Sequence, residues 1–552
     1  MIADIHITEK SFGDKTLMKD VKFSVDDGEK VGVVGRNGVG KSTLFGILSE
    51  KDTDYTGEVI FRRGITVATT AQEHHGLGDQ TVMSYILGGL PEYSKLKKII
   101  DEYPLTMGDN MRKIEEYTQA LERFDQKGFY QVEEKIEREL SNFQLDGFGD
   151  RKISSLSGGQ KRLVEIVKIM HSEAHLALID EPTNHMDYVA KQQFIDWMNS
   201  QPHQAMLIIT HDRDVLGQVD RIVEIKDGQA VSYRGNYDAY LKQNAQATTA
   251  GMNNFEQIEK RIVNLKQKVL DYQRLKEKSR NPGTIQKFKR LENEARAELA
   301  ELSEMEKPTF WIDKESVGQL DYKSAERYGK FKSRNIRLSM KDASSRSQHV
   351  LVRAENVAVG IGERILFEDV NIDLREGEAI EIRGRNGAGK TTLIRMILAS
   401  GKSFDGGPIL YSGDIFLDPQ VRIGVYEQEI DEKYLADPLE KAIEKLYMSR
   451  DLSISDTKIR QLLADYLFTD ADRMTPLARL SGGQKARFQI IAMLANDPQL
   501  LVLDEPTNHL DLPSIEELET ALAKYSGAIL YVSHDNYFRE KLGGKVVQIG
   551  AE

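Results

Sequence analysis

Two stretches of this chain carry the residue types and spacing needed to hold a phosphate chain. Gly35, Asn37, Gly38, Gly40, Lys41 and Ser42 recur as Gly384, Asn386, Gly387, Gly389, Lys390 and Thr391, each set fitting GxxxxGK[ST]. Glycines at these places let backbone N–H groups turn inward around an anion, and the start of a helix adds partial positive charge. The lysine can reach terminal phosphates, and the adjoining hydroxyl suits Mg²⁺. Thr43 and Thr392 continue the same helix start. Asp180 and Asp504 each end an apolar run, where a carboxylate can meet a metal beside such a loop. Glu181 and Glu505 follow directly and are candidate general bases for an attacking water. His211 and His534 end the next apolar run and are expected near the terminal phosphate. A histidine merely satisfied by hydrogen bonds is the bland alternative; the identical order in both halves favours chemistry.

The elements that must position these residues are legible around them. Short apolar runs, 31–34 and 379–382, precede the two loops, and helix-compatible runs follow them. Continuous apolar strands alternating with helices predict an α/β fold with a largely parallel, helix-covered sheet in each half. The spacing from Gly35 to Gly384 equals that from Asp20 to Asp369. This is a duplicated domain rather than a short-period repeat. Ser157, Gly158, Gly159 and Gln160 in the first copy, and Ser481, Gly482, Gly483 and Gln484 in the second, open another helix with phosphate-seeking backbone. Each LSGGQ is poorly placed to serve its own copy's loop. Head-to-tail pairing is therefore expected, with two nucleotides sandwiched between the copies. Gln72 and Gln428, between the loop and LSGGQ, are candidate nucleotide and metal contacts.

The chain of 552 residues has room for two to four domains. Its formal charge is −12, so a nucleic-acid surface would have to be local. It contains no cysteine, which excludes disulfides, thiolate metal sites and cysteine-held iron–sulfur clusters. No run is long and apolar enough to span a membrane, and the first residues lack the apolar core of a signal peptide. A soluble, cytoplasmic monomer is expected.

Between the copies the periodicity changes. Phe255, Ile258, Ile262, Leu265, Val269 and Tyr272 follow 3-4 spacing, and Ile285, Phe288, Leu291, Ala295, Leu299 and Leu302 form a second stripe beyond Asn281-Pro282-Gly283. Together they predict an antiparallel helical hairpin with arms of about 24 residues, reaching about 36 Å. The linker is also basic. Residues 274–290 carry seven Lys and Arg against Glu277, and 323–341 carry seven against Glu326, interleaved with Tyr322, Tyr328 and Phe331. Cations with aromatics suit RNA.

With DEPTNHMD at 180–187, DEPTNHLD at 504–511 and the run 235–241 closing the first copy, the chain resembles an ATP-binding cassette protein, and more narrowly the ABC-F family. The resemblance implies an ATPase of two ATP-binding-cassette domains, 1–245 and 350–552, joined by a long helical hairpin linker, 246–349, with its tip at about 279–286. The greater distance from Gln72 to Ser157 than from Gln428 to Ser481 matches an arm insertion within about 95–135. It further implies a ribosome-bound factor at the tRNA exit site, with the linker directed at the peptidyl-transferase centre. Arg280, Lys287 and Lys289 would contact rRNA or tRNA. Antibiotic resistance by ribosomal protection and a housekeeping role in translation are both represented in the family. By motif, Lys41, Ser42, Asp180, Glu181 and His211 join Ser481–Gln484 in one ATP–Mg²⁺ site; Lys390, Thr391, Asp504, Glu505 and His534 join Ser157–Gln160 in the other. The pattern departs from the family in several places, Met186 against Leu510 among them; most notably, Phe12 can stack on adenine, whereas the same offset in the second copy gives Ile361. The energising subunit of a membrane transporter is the competing reading, but it has no use for a basic hairpin.

Overall fold

A computed structural model describes residues 1–13, 15–70, 79–108, 110–184, 186–305, 307–320, 322–338, 349–402, 407–427 and 430–550. The chain divides into two compact units, Met1–Tyr237 with Ile336–Glu552, and Asp238–Asn335. Both copies of the duplicated domain therefore pack within one unit.

Each copy is built on a parallel sheet. In the first, strand Lys30–Val34 lies between Ala205–Ile209 and Arg221–Lys226, with Leu176–Asp180 and Val67–Thr69 beyond. Strand Gln229–Arg234 adds an antiparallel edge. The second copy repeats the arrangement with Ala379–Arg383 between Ala528–Val532 and Lys545–Gln548, and Leu500–Asp504 and Ile423–Tyr426 beyond. Every residue of Lys30–Val34, Leu176–Asp180 and Ala205–Ile209 is buried, as are those of Leu500–Asp504 and Ala528–Val532. Burial on both faces is why these runs read as continuously apolar rather than alternating. Because the strands run parallel, their C-terminal ends share one edge: Val33 and Asp180 both stand level with Ile209. The loops that follow are thereby gathered into one place.

The parallel expectation was incomplete. Each copy also carries a separate antiparallel sheet of three strands. One comprises Ala3–Phe12, Lys15–Val25 and Thr56–Phe61, the other Val350–Ile361, Arg364–Arg375 and Ile409–Leu417. Their half-exposed, bulged strands alternate weakly and hide in the sequence. The additional length of the first copy forms helices, including Tyr93–Thr106 and Met111–Gln126, joined by a ring cluster of Tyr93, Phe124 and Phe129.

Helices Tyr237–Lys278 and Pro282–Ser303 form the hairpin. Its arms differ in length, 42 and 22 residues, because the first helix starts where the first copy ends rather than at Phe255. Asn281 caps the second helix through the N–H of Gly283, and Pro282 occupies its first turn, where a missing N–H costs nothing. Leu265, Val269 and Ala295 are buried in the seam, with Tyr272, Leu299 and Leu302 against them. Tyr272 stacks on Phe288 at 6.4 Å.

Candidate nucleotide sites

Strand Lys30–Val34 leads into Gly35, and helix Lys41–Leu48 begins after Gly40, which sits at φ 101° with no side-chain cap. Gly389 opens Lys390–Leu398 in the same way at φ 97°. Glycine alone takes this backbone cheaply, and the uncapped helix start leaves its N–H groups available to an anion. Both loop lysines are buried and fold onto their own loops. Lys41 Nζ donates to the carbonyls of Gly35 and Arg36 at 2.6 and 3.2 Å, and Lys390 Nζ to those of Gly384 and Arg385 at 2.9 and 3.0 Å. Burial holds both below the usual lysine range.

A hydroxyl and a strand-end carboxylate meet beside each loop. Ser42 Oγ donates to Asp180 at 3.1 Å and Thr391 Oγ1 to Asp504 at 2.7 Å. The other oxygen of Asp504 is buried without a hydrogen bond among the described residues, and burial raises this carboxyl to about 6. Hard oxygen donors of this kind fit Mg²⁺, which keeps its remaining positions for phosphate oxygens and water.

Glu181 and Glu505 adopt left-handed backbone, φ 46° and 52°, an uncommon conformation for a glutamate. Strain repeated at both copies marks a functional turn. Glu181 Oε1 lies 3.6 Å from His211 Nε2, and Glu505 Oε1 lies 3.4 Å from His534 Nε2. Burial pushes both glutamates up, Glu505 to about 7, and both histidines down, His534 to about 3. Buried Glu505 Oε1 and His534 Nε2 make no hydrogen bond among the described residues. The pairs place a carboxyl group and an imidazole side by side.

The loops are completed across the copies. The backbone N–H of Asn37 donates to Asp511 Oδ2 at 3.1 Å, and that of Asn386 to Asp187 Oδ2 at 3.1 Å. Asn37 Nδ2 also donates to the His509 carbonyl at 2.9 Å. Gly483 faces Asn37 so closely that a Cβ added there would come within 2.1 Å of the amide nitrogen. Around the second loop, a cavity of about 810 Å³ is lined by Ser157, Gly158 and Gln160 of the first copy and by Lys390, Thr391 and Glu505 of the second. Gly159, Asn386, Gly387, Gly389 and Thr392 lie on the same wall, as does Ile361. Ser157 and Ser481 cap their helices, and Gln160 and Gln484 close the capping boxes with their side chains.

Profile comparison matches the family described as ABC transporter to residues 18–184 and 367–508. The chain is 30% identical to the protein YdiF of Bacillus subtilis, over 100% of this chain and 80% of that one. It is 29% identical to ABC transporter F family member 2 of Arabidopsis thaliana (98% and 75% covered) and 28% identical to ribosome protection protein VmlR of Bacillus subtilis (96% and 83%). The chain belongs to the ABC-F family. Among solved structures, the archaeal ribosome recycling factor aABCE1, in complex with stalk protein aP1, shares its fold with TM-score 0.59 at 16% identity, covering 99% of this chain and 87% of that one.

Membership makes this ABC-F chain an ATPase whose two cassettes bind ATP. No helix among its described residues is long and apolar enough to cross a membrane. Gln72 and Gln428 lie outside the described residues. Phe12 ends its strand half-exposed, with Lys10 Nζ 4.7 Å above the ring. Asp187 and Asp511 escaped the residue-level reading although both stand in the duplicated motif; their partners, Asn386 and Asn37, come from the far end of the chain. One expectation for the linker fails. Tyr328 and Phe331 are buried with Met252 and Ile312, and Tyr328 Oη accepts the Ile312 N–H, so neither ring is presented for base stacking.

Proposed function

We propose that this ABC-F ATPase binds the ribosome near the tRNA exit site and acts on the peptidyl-transferase region through its linker, protecting ribosomes from an antibiotic. The observation that carries the RNA reading is the distribution of charge along the hairpin. In the stem, Lys276 and Arg296 pair with Glu292, Arg261 with Glu298 and Arg290 with Glu294. Other cations of the hairpin are exposed and take no ion pair among the described residues: Lys266, Lys268 and Arg274 in the stem, and Arg280, Lys287 and Lys289 at the turn. Cations left without carboxylates along the hairpin of an acidic chain suit RNA phosphates. Similarity to a ribosome protection protein supports the resistance reading. A translational throttle protein of equal identity keeps a housekeeping role as the alternative. On either reading the protein works in the cytoplasm as a monomer.

In each site the loop N–H groups, Gly38 or Gly387 among them, and Lys41 or Lys390 would hold the phosphates. Phe12 would rest against the base at the first site. Backbone of Ser481–Gln484, or of Ser157–Gln160, would close over the far side of the nucleotide. Mg²⁺, held by Ser42 and Asp180 or by Thr391 and Asp504, would supply neutralisation of phosphate charge. Glu181 and Glu505 take the proton of the attacking water, and a carboxylate raised by burial toward neutrality is suited to that. His211 and His534, kept neutral, orient the glutamate and the terminal phosphate.

Cosedimentation with ribosomes tests the reading, with the Glu181→Gln, Glu505→Gln chain in ATP as the trapped form. Arg280→Ala, Lys287→Ala and Lys289→Ala together should weaken association and flatten its salt dependence, because fewer counterions are released. With Glu181 and Glu505 intact, the three substitutions should leave basal hydrolysis near normal. Association equal to the parent at every salt concentration would remove the hairpin from the RNA interface.

A further inference from the structure

Lys191 stands in helix Tyr188–Ser200, four residues after Asp187, and is 4% exposed. A buried ammonium needs a partner for each of its donors. Two lie in its own copy: Asp214 Oδ2 at 2.6 Å and Asp212 Oδ2 at 3.3 Å. The third is the backbone carbonyl of His534 in the other copy, at 2.8 Å. Asn536 Nδ2 donates to the same Asp214 carboxylate at 2.8 Å, so the first copy grips the segment 534–536 at two points.

That segment carries the second site. The backbone N–H of His534 donates to Glu505 Oε2 at 3.2 Å, while its imidazole stands 3.4 Å from the other oxygen of Glu505. The gripped carbonyl, the N–H on Glu505 and the imidazole all belong to residue 534, so a shift of that residue displaces the last two together. The first site is built otherwise. Four residues after Asp511 the chain has Ile515, which has no polar atom in its side chain, and the place of Asp214 is taken by Tyr537.

We infer that Lys191 is a cross-copy positioning residue for the second site, holding the His534 peptide in register with Glu505 when the copies are closed. The inference rests on the proposed roles of Glu505 and His534. Parting of the copies removes this restraint from the second site alone, so hydrolysis there is the more tightly coupled to closure.

Single-turnover hydrolysis by the full chain tests it in two backgrounds: Glu181→Gln, which leaves the second site working, and Glu505→Gln, which leaves the first. Lys191→Met should slow the second site about tenfold or more, on the scale expected when a reacting group is displaced. The first site should lose clearly less, since Lys191 reaches it only through Asp212 beside His211, and KM for ATP should not move in either background. Lys191→Arg, which can still donate to the carbonyl, should restore most of the second-site rate. Equal losses at both sites, or none at the second, would overturn the inference. Should Lys191→Met fail to fold, Asp214→Asn removes the anchoring charge and keeps the ammonium; it should give a smaller loss with the same preference, and a loss without preference is contradictory. Turnover surviving in the Glu181→Gln, Glu505→Gln chain would instead refute the glutamate assignment, leaving that failure distinguishable from one of Lys191.

Discussion

At the first nucleotide site the residue proposed to meet the base is Phe12, and the other copy's helix offers Ile515; at the second those places are taken by Ile361 and Lys191. The phosphate-side residues do not differ in this way. Lysine on its own loop carbonyls, hydroxyl on strand-end carboxylate, left-handed glutamate and adjacent histidine recur with near-identical geometry. The proposed mechanism needs the same atoms at each site, and duplication leaves them alike. Contacts that join the copies face no such demand, because two halves of one chain need not obey the symmetry of a homodimer. The buried pair of Arg213 with Glu519, 2.8 Å, is a case: Asn536 stands where a second arginine would.

The largest expected effect would show that the shared residues act alike. Glu181→Gln with Glu505→Gln should bind ATP and lose about 10²- to 10⁴-fold in turnover, the range for a lost general base. Each single variant should abolish one site and spare chemistry at the other; turnover near the parent's in the double variant would break the symmetry claim at its root. Next is Arg213→Met, which strands Glu519 at a site 3% exposed. Loss of one partner from a buried pair costs about 3–5 kcal/mol, to be read from denaturant midpoints. Glu519→Gln in the same chain should recover part of the loss, and an unchanged midpoint would mean that the pair does not hold the copies together.

The smallest effect lies at the bases. Stacking of a base on an aromatic ring is worth about 1–3 kcal/mol. Phe12→Ala should weaken nucleotide binding at the first site by that amount, measured with the second disabled by Lys390→Ala. Ile361→Phe should strengthen the second, measured with Lys41→Ala. Equal affinities of the parent's two sites would erase this part of the difference.

The phosphate machinery was legible because it is local: GxxxxGK[ST], DEPTNH and LSGGQ each sit where a buried strand ends or a helix begins. The hairpin was legible from its two stripes, although its first arm proved longer, since continuation of Tyr237–Lys278 out of the first copy leaves no break in the periodicity. What stayed hidden depends on distant contacts. Nothing near Lys191 announces a carbonyl from residue 534, and nothing near Asp511 announces Asn37. Tyr328 and Phe331 misled for the same reason, since burial beneath Met252 cannot be read from neighbouring cations.

The central claim is that each site is composed of one copy's phosphate loop and the other copy's LSGGQ, and a cross-link tests it most directly. A Cβ at Gly483 would stand 3.2 Å from the Asn37 Cβ, close to the span of about 3.5–4.5 Å that a disulfide bridges. The chain has no cysteine to interfere. Asn37→Cys with Gly483→Cys should oxidise to an intrachain disulfide, seen as a reductant-sensitive mobility shift on a non-reducing gel. Asn37→Cys with Gly159→Cys, in the loop's own copy, should not. Cross-linking in the second pair and its absence from the first would contradict the head-to-tail arrangement.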